Sequence, residues 1–238
     1  MSSAFSVLWL VAFAGAAAGA DAPKTRARAP DAGAAVSVPA LAPEVKSLVD
    51  RMQRFYEKTA DFSARFRQEY TYKSFNRTQT SAGKVSFLKP AMMRWDYDKP
   101  PGKTFVLTDE KVYAYDPDAM TLTIAALKSN ELSAAVTFLW GLGKLEKEFS
   151  IDRRPCAECK GVLLEMTPRH PDPRFQRVRL EVDPKTAQVL KSVVVDPDGS
   201  ENAIAFIDLK LNLGISKDEF KIKPPADTQI VDLTKSQR

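Results

Sequence analysis

Between residues 83 and 127 the chain alternates apolar and polar positions in short bursts. Val85 and Phe87 alternate with Lys84 and Ser86, and Met93, Trp95 and Tyr97 with Arg94 and Asp96. Phe105 and Leu107 share one parity, as do Tyr113 with Tyr115, and Leu122 with Ile124. A period of two places each set on one face of a β-strand. Turns are marked by Lys89-Pro90, Lys99-Pro100-Pro101-Gly102, Asp109-Glu110 and Asp116-Pro117-Asp118. The stretch predicts an antiparallel meander of five or six strands with one apolar, adaptable face.

The period changes on either side. Val45, Leu48, Val49, Met52, Phe55 and Tyr56 recur at helical spacing behind Pro43 and Glu44, predicting an amphipathic helix over 43–58. Phe62, Ala64, Phe66 and Gln68 then alternate with Ser63, Arg65 and Arg67, a long strand that ends near Phe75 and turns at Asn76-Arg77. Beyond Leu127, the positions Leu132, Ala135, Val136, Phe138 and Leu139 predict a second helix, capped by Ser129 or Asn130 and ended by Gly141 and Gly143. A short third helix is expected over 143–148. Strands follow over 149–153, 162–167, 175–182, 189–195 and 201–213, with a last one through Phe220 and Ile222. Asp183-Pro184-Lys185-Thr186 and Asp196-Pro197-Asp198-Gly199 mark tight turns. The sum is ten or eleven antiparallel strands with two or three helices. A sheet that large must curl, and so few helices cannot cover both faces. The expected fold is mainly β (α+β), a curved sheet forming a half-open barrel with helices over one side.

Residues 1–20 hold an uncharged apolar run closed by Ala18-Gly19-Ala20, the pattern of a secretory signal peptide. Residues 21–42, rich in Ala, Pro, Gly and Ser, are expected to be a disordered linker, and 43–238 the folded domain. Asp21, not Cys, stands directly after the expected cleavage site, so no lipid anchor is expected there. A net charge of +5 without a Lys/Arg cluster argues against nucleic acid. The chain's two cysteines, Cys156 and Cys159, sit between strand-like segments. In an exported chain they form a possible disulfide, a clip in a hairpin loop. His170 is the one histidine, too few ligands for a zinc site with two thiols, and no metal is expected.

Enzyme chemistry has no foothold either. No G-x-S-x-G elbow, H-E-x-x-H pair or phosphate-cradling glycine loop occurs. What remains is the apolar concavity of a half-closed sheet, which encloses a ligand where side chains leave the middle open. Its candidate lining is Val85, Phe87, Met93, Trp95, Tyr97, Phe105, Leu107, Tyr113, Tyr115, Leu122 and Ile124, with Leu139 from the second helix.

The run Gly83…Phe87-Leu88-Lys89-Pro90…Arg94-Trp95…Tyr97…Pro100, followed by Thr108-Asp109…Tyr115-Asp116-Pro117, resembles the LolA family of periplasmic carriers for outer-membrane lipoproteins. So do Asp61-Phe62-Ser63-Ala64-Arg65-Phe66…Gln68 and the closing Phe220…Ile222…Pro224-Pro225, Asp227 and Val231, so that the resemblance spans about residues 44–235. It implies a half-open barrel lidded by helices around an apolar cavity, with no cofactor and no covalent chemistry. It implies a monomer in the periplasm that takes lipoprotein acyl chains from an inner-membrane ABC transporter and passes them to an outer-membrane acceptor. The family's Arg before Pro, associated with lid closure and cargo release, is Lys89 here, and the aromatic two residues before the Trp is Met93. Lys supplies donors without a planar fork, so the exchange is not conservative. The Cys-x-x-Cys insert lies outside the family pattern. Two other readings stay open beside the carrier: a paralogue for another lipid or glycolipid, and an envelope sensor domain that docks a protein.

Overall fold

The computed structural model describes residues 41–99, 101–127 and 144–235. The expected signal peptide, nearly all of the linker, and the second helix with Leu139 lie outside them. Helix α1 (Pro43–Lys58) opens the fold with Pro43 in its first turn, and Val45, Leu48, Val49, Met52 and Tyr56 form its buried stripe. Twelve strands follow: β1 (Asp61–Tyr72), β2 (Arg77–Leu88), β3 (Met92–Lys99), β4 (Pro101–Leu107), β5 (Lys111–Asp116), β6 (Thr121–Ala126), β7 (Phe149–Arg154), β8 (Val162–Pro168), β9 (Arg177–Val182), β10 (Val189–Val195), β11 (Glu201–Leu211) and β12 (Gln229–Asp232). A one-turn helix α2 (Leu145–Glu148) precedes β7.

All twelve strands join one curved sheet in the order β12-β6-β5-β4-β3-β2-β1-β11-β10-β9-β8-β7. No pairing joins β12 to β7 among the described residues, so the barrel is half-open. Every ladder is antiparallel except that of β12, which lies parallel to β6 with Ile230 opposite Leu122. The long hairpin β1–β2 is the spine, paired in unbroken register from Asp61 opposite Leu88 to Tyr72 opposite Arg77.

The end of the chain departs from expectation. Phe220 and Ile222 do not form a strand. Ser216 Oγ accepts from the Asp218 backbone N–H at 3.2 Å and starts a 310 turn over Lys217–Phe220. That turn buries Phe220, and the last strand forms nine residues later. Likewise β11 stops at Leu211, because Asn212 turns into a left-handed conformation (φ 51°). The buried Asp61 carboxylate then accepts from the backbone N–H groups of Leu213 (2.6 Å) and Gly214 (3.0 Å).

Two apolar clusters share the concave face. One lies under α1, where its stripe meets Phe149, Ile151, Leu164, Met166, Val178, Leu180 and Val182. The other spans β1 to β5 and includes Phe62, Phe66, Val85, Phe87, Met93, Trp95, Tyr97, Leu107 and Val112. Phe206 of β11 packs against both.

Candidate functional site

The second cluster is built by register. Residues directly opposite each other in an antiparallel pair share a face. Phe62 lies opposite Phe87, which lies opposite Met93, which lies opposite Leu107. Ala64, Val85, Trp95 and Phe105 make the next row. Phe66, Gly83 and Tyr97 make the third. The rings interlock: Phe66 meets Trp95 at 4.8 Å and Tyr97 at 5.0 Å, both edge-on, Tyr97 meets Phe105 at 5.8 Å, and Phe62 stacks on Phe87 at 5.0 Å. Such ring pairs add to plain area burial. Gly83 permits the third row. A Cβ there would stand 2.0 Å from the Asp96 carbonyl oxygen and 2.8 Å from the Phe66 ring.

Above the rings the face turns polar. The Tyr97 hydroxyl donates to Gln68 Oε1 at 3.1 Å, and Gln68 Nε2 donates to Asn202 Oδ1 at 2.9 Å. Burial pushes the Tyr97 hydroxyl pKa up, which keeps it a donor at any physiological pH. At the far end, Lys89 closes the β2–β3 turn. Its Nζ donates to the carbonyl oxygens of Tyr56 (2.8 Å) and Glu57 (2.6 Å), the last turn of α1. A cation at a helix C-terminus meets the negative end of the helix dipole. Burial lowers the Lys89 pKa, with the charge of Glu57 working the other way. The side chain before Pro90 thus ties the last turn of α1, which covers the neighbouring half of the concave face, to the end of the ring floor.

On the convex side, Arg94 bonds Asp96 (2.7 Å) and the carbonyl oxygens of Glu219 (3.0 Å) and Lys221 (3.2 Å), holding the C-terminal segment across the sheet. Cys156 and Cys159 are joined in the β7–β8 loop, away from the rings. Glu181 anchors that loop by accepting from the backbone N–H of Lys160 at 2.7 Å and of Gly161 at 3.0 Å. Among the described residues no group of three His, Cys, Asp or Glu side chains could hold a metal ion, and no helix is long and apolar enough to cross a membrane.

A family model described as the outer membrane lipoprotein carrier protein LolA matches residues 57–223. The chain belongs to the LolA family. An outer-membrane lipoprotein carrier protein of Methylobacillus flagellatus is 28% identical over 184 residues, covering 77% of this chain and 88% of its own. One of Nitrosomonas europaea is 26% identical over 194 residues, covering 82% of this chain and 91% of its own. An uncharacterized conserved protein from Thermus thermophilus has a similar structure, with a TM-score of 0.50 at 14% identity over 79% of this chain and 98% of that one. That last likeness is one of fold alone.

Within this LolA-family sheet, the expected lining divides. Val85, Phe87, Met93, Trp95, Tyr97, Phe105 and Leu107 come together on the concave face. Tyr113, Tyr115, Leu122 and Ile124 do not, and this corrects their assignment to the cavity. Tyr113 lies opposite Val106 and Ile124, and Tyr115 opposite Thr104 and Leu122, all on the convex face. The cause is the β4–β5 turn, closed by the Thr108 N–H on the Lys111 carbonyl, which makes odd-numbered positions of β4 face even-numbered positions of β5. Val112 and Ala114 therefore stand beside Leu107 and Phe105. Phe62, Phe66 and Asn202 also reach this face. Alternation marks Phe62 and Phe66, the turn length marks Val112 and Ala114, and no local signal marks Asn202.

Proposed function

We propose that this protein is a periplasmic carrier that shields lipoprotein acyl chains on the concave face and moves them from the inner to the outer membrane. The observation that carries this reading is the continuous floor of rings and Met from Phe62 to Leu107 in a LolA-family sheet, beside a helix that packs on the neighbouring half of the same face and is tied to the end of the floor by Lys89. Residues 1–20 serve as the export signal, 21–42 as a linker, and the folded domain works as a monomer. A lipoprotein-releasing ABC transporter loads it, and an outer-membrane acceptor unloads it. No bond is made or broken, and no cofactor is used.

The energetics suit a carrier. Each methylene kept from water is worth about 0.8 kcal/mol, so a chain of about 16 carbons is worth roughly 10 kcal/mol. Full burial of several chains would pass the practical affinity ceiling of about 20 kcal/mol, and cargo would never leave. An apolar floor in a half-open sheet, flanked by a helix on a breakable tie, gives protection with release. The test is to express the chain from residue 1, purify it from the periplasm and identify what co-purifies by mass spectrometry. Triacylated lipoprotein is the expected finding. A folded protein that carries none, and accepts none from membranes in vitro, contradicts the reading.

A further inference from the structure

We propose that the concave face carries a polar grip, formed by Gln68, Ser81 and Asn202, for the carbonyl oxygen at the head of an acyl chain. The proposal rests on the carrier reading and adds how the chain is held. The three side chains lie on adjacent strands β2, β1 and β11 and are 7%, 8% and 4% exposed for Ser81, Gln68 and Asn202. Gln68 stands directly opposite Ser81, and its amide meets that of Asn202.

The hydrogen-bond inventory of this row is lopsided. Tyr97 uses its O–H on Gln68 Oε1, and Gln68 uses one N–H on Asn202 Oδ1. The amide oxygens are thereby engaged. Each amide oxygen keeps a second lone pair and the Ser81 hydroxyl can accept as well as donate, but the groups left with no partner at all among the described residues are the second N–H of Gln68, both N–H groups of Asn202, and the Ser81 hydroxyl. Buried polar groups almost always have partners, and a donor left without one costs about 1–3 kcal/mol. Thr228 Oγ1 is the one described side-chain polar atom that is both fully enclosed and unpaired, so the Ser81 and Asn202 donors are still within reach of a ligand.

Three of the four partnerless groups are amide N–H groups that can only donate, so the row favours an acceptor. None of the three side chains pairs with a cation, so a carboxylate or phosphate would bring an uncompensated charge into an apolar strip. A carbonyl fits: it only accepts, it is uncharged, and in an acyl ester or acyl amide it sits where the hydrocarbon ends. The grip lies just beyond the ring floor on the same face. The hydrocarbon therefore runs over Phe66, Trp95 and Phe87 toward the Lys89 end, with its carbonyl at Gln68 and Asn202.

The test compares matched probes that differ only in that carbonyl. One pair is a cysteinyl peptide bearing a dipalmitoyl glyceryl thioether and its dihexadecyl diether analogue. The other is an N-palmitoyl peptide and a neutral analogue in which the N-terminal residue is a hydroxy acid carrying a hexadecyl ether, which separates an amide carbonyl from an ester. At one net hydrogen bond, the wild-type protein should prefer the carbonyl member of at least one pair by about fivefold. Asn202→Leu and Ser81→Ala should erase or reduce that preference while leaving affinity for the carbonyl-free probes in place. Ser81→Ala removes no hydrogen bond of the described structure, so it remains informative if Asn202→Leu fails to fold. Equal affinity within both pairs, as a merely water-filled row would give, overturns the grip. So does a preference unchanged in the variants. A folded protein that binds none of the probes overturns the carrier reading, and the grip with it.

Discussion

At Gly83 the side chain is absent because its place is taken. The Asp96 carbonyl and the Phe66 ring already occupy the position of a Cβ. Gly83→Ala should cost about 1–3 kcal/mol, as overpacked positions do, and lower the thermal midpoint accordingly. Differential scanning calorimetry checks this. Asp116 supports a pH-dependent prediction. Burial alone would raise its pKa, but the Lys103 ammonium at 3.0 Å and the backbone N–H groups of Ala119 and Asp118 outweigh it and hold the carboxyl below its ordinary 3.8. A depressed carboxyl contributes stability in full above its unfolded pKa and loses it as pH falls through the lower folded value. Asp116→Asn should therefore melt lower than wild type at neutral pH, and the difference should close as pH falls below 3.8. Residue chemistry of this kind was legible in part. The sequence marked Trp95 and Phe87 by alternation, but Gly83 read only as the start of a pattern, because the ring above it comes from β1.

At the scale of elements, the proposed carrier function makes the tie between Lys89 and α1 the part whose strength sets release. Lys89→Met should remove both bonds to the Tyr56 and Glu57 carbonyls, speed amide hydrogen exchange in the last turn of α1, and quicken cargo loss. Lys89→Arg should preserve the tie. Unchanged exchange near residues 56–59 in Lys89→Met would contradict this role. Strand periods were readable throughout the meander, and α1 was readable from Pro43 to about Lys58, because its stripe and Pro43 agree. Faces across turns were not. Tyr113 and Leu122 alternate as cavity residues would, yet one short turn after Leu107 sends their parity outward. The last strand failed for another reason. Phe220 and Ile222 alternate, but the backbone bond at Ser216 closes a 310 turn there, and β12 gains its partner from β6, a pairing some hundred residues distant that no local pattern announces.

The whole molecule is one sheet with two apolar halves. The half under α1 is closed by a helix whose stripe it matches. The half from β1 to β5 carries the rings, the Met and the polar row. Curling of the sheet followed from the strand count, whereas the twelfth strand and the division into halves came from long-range register. The central claim is that acyl chains lie on the ring floor. In a chain beginning at Asp21 and carrying Trp140→Phe, Trp95 is the sole tryptophan and reports on that floor directly. The decisive measurement is its fluorescence on titration with a lipopeptide brominated along its acyl chains, beside the unbrominated form. Saturable quenching by the brominated probe alone is expected. Binding of both probes without quenching would place the lipid elsewhere and contradict the assignment.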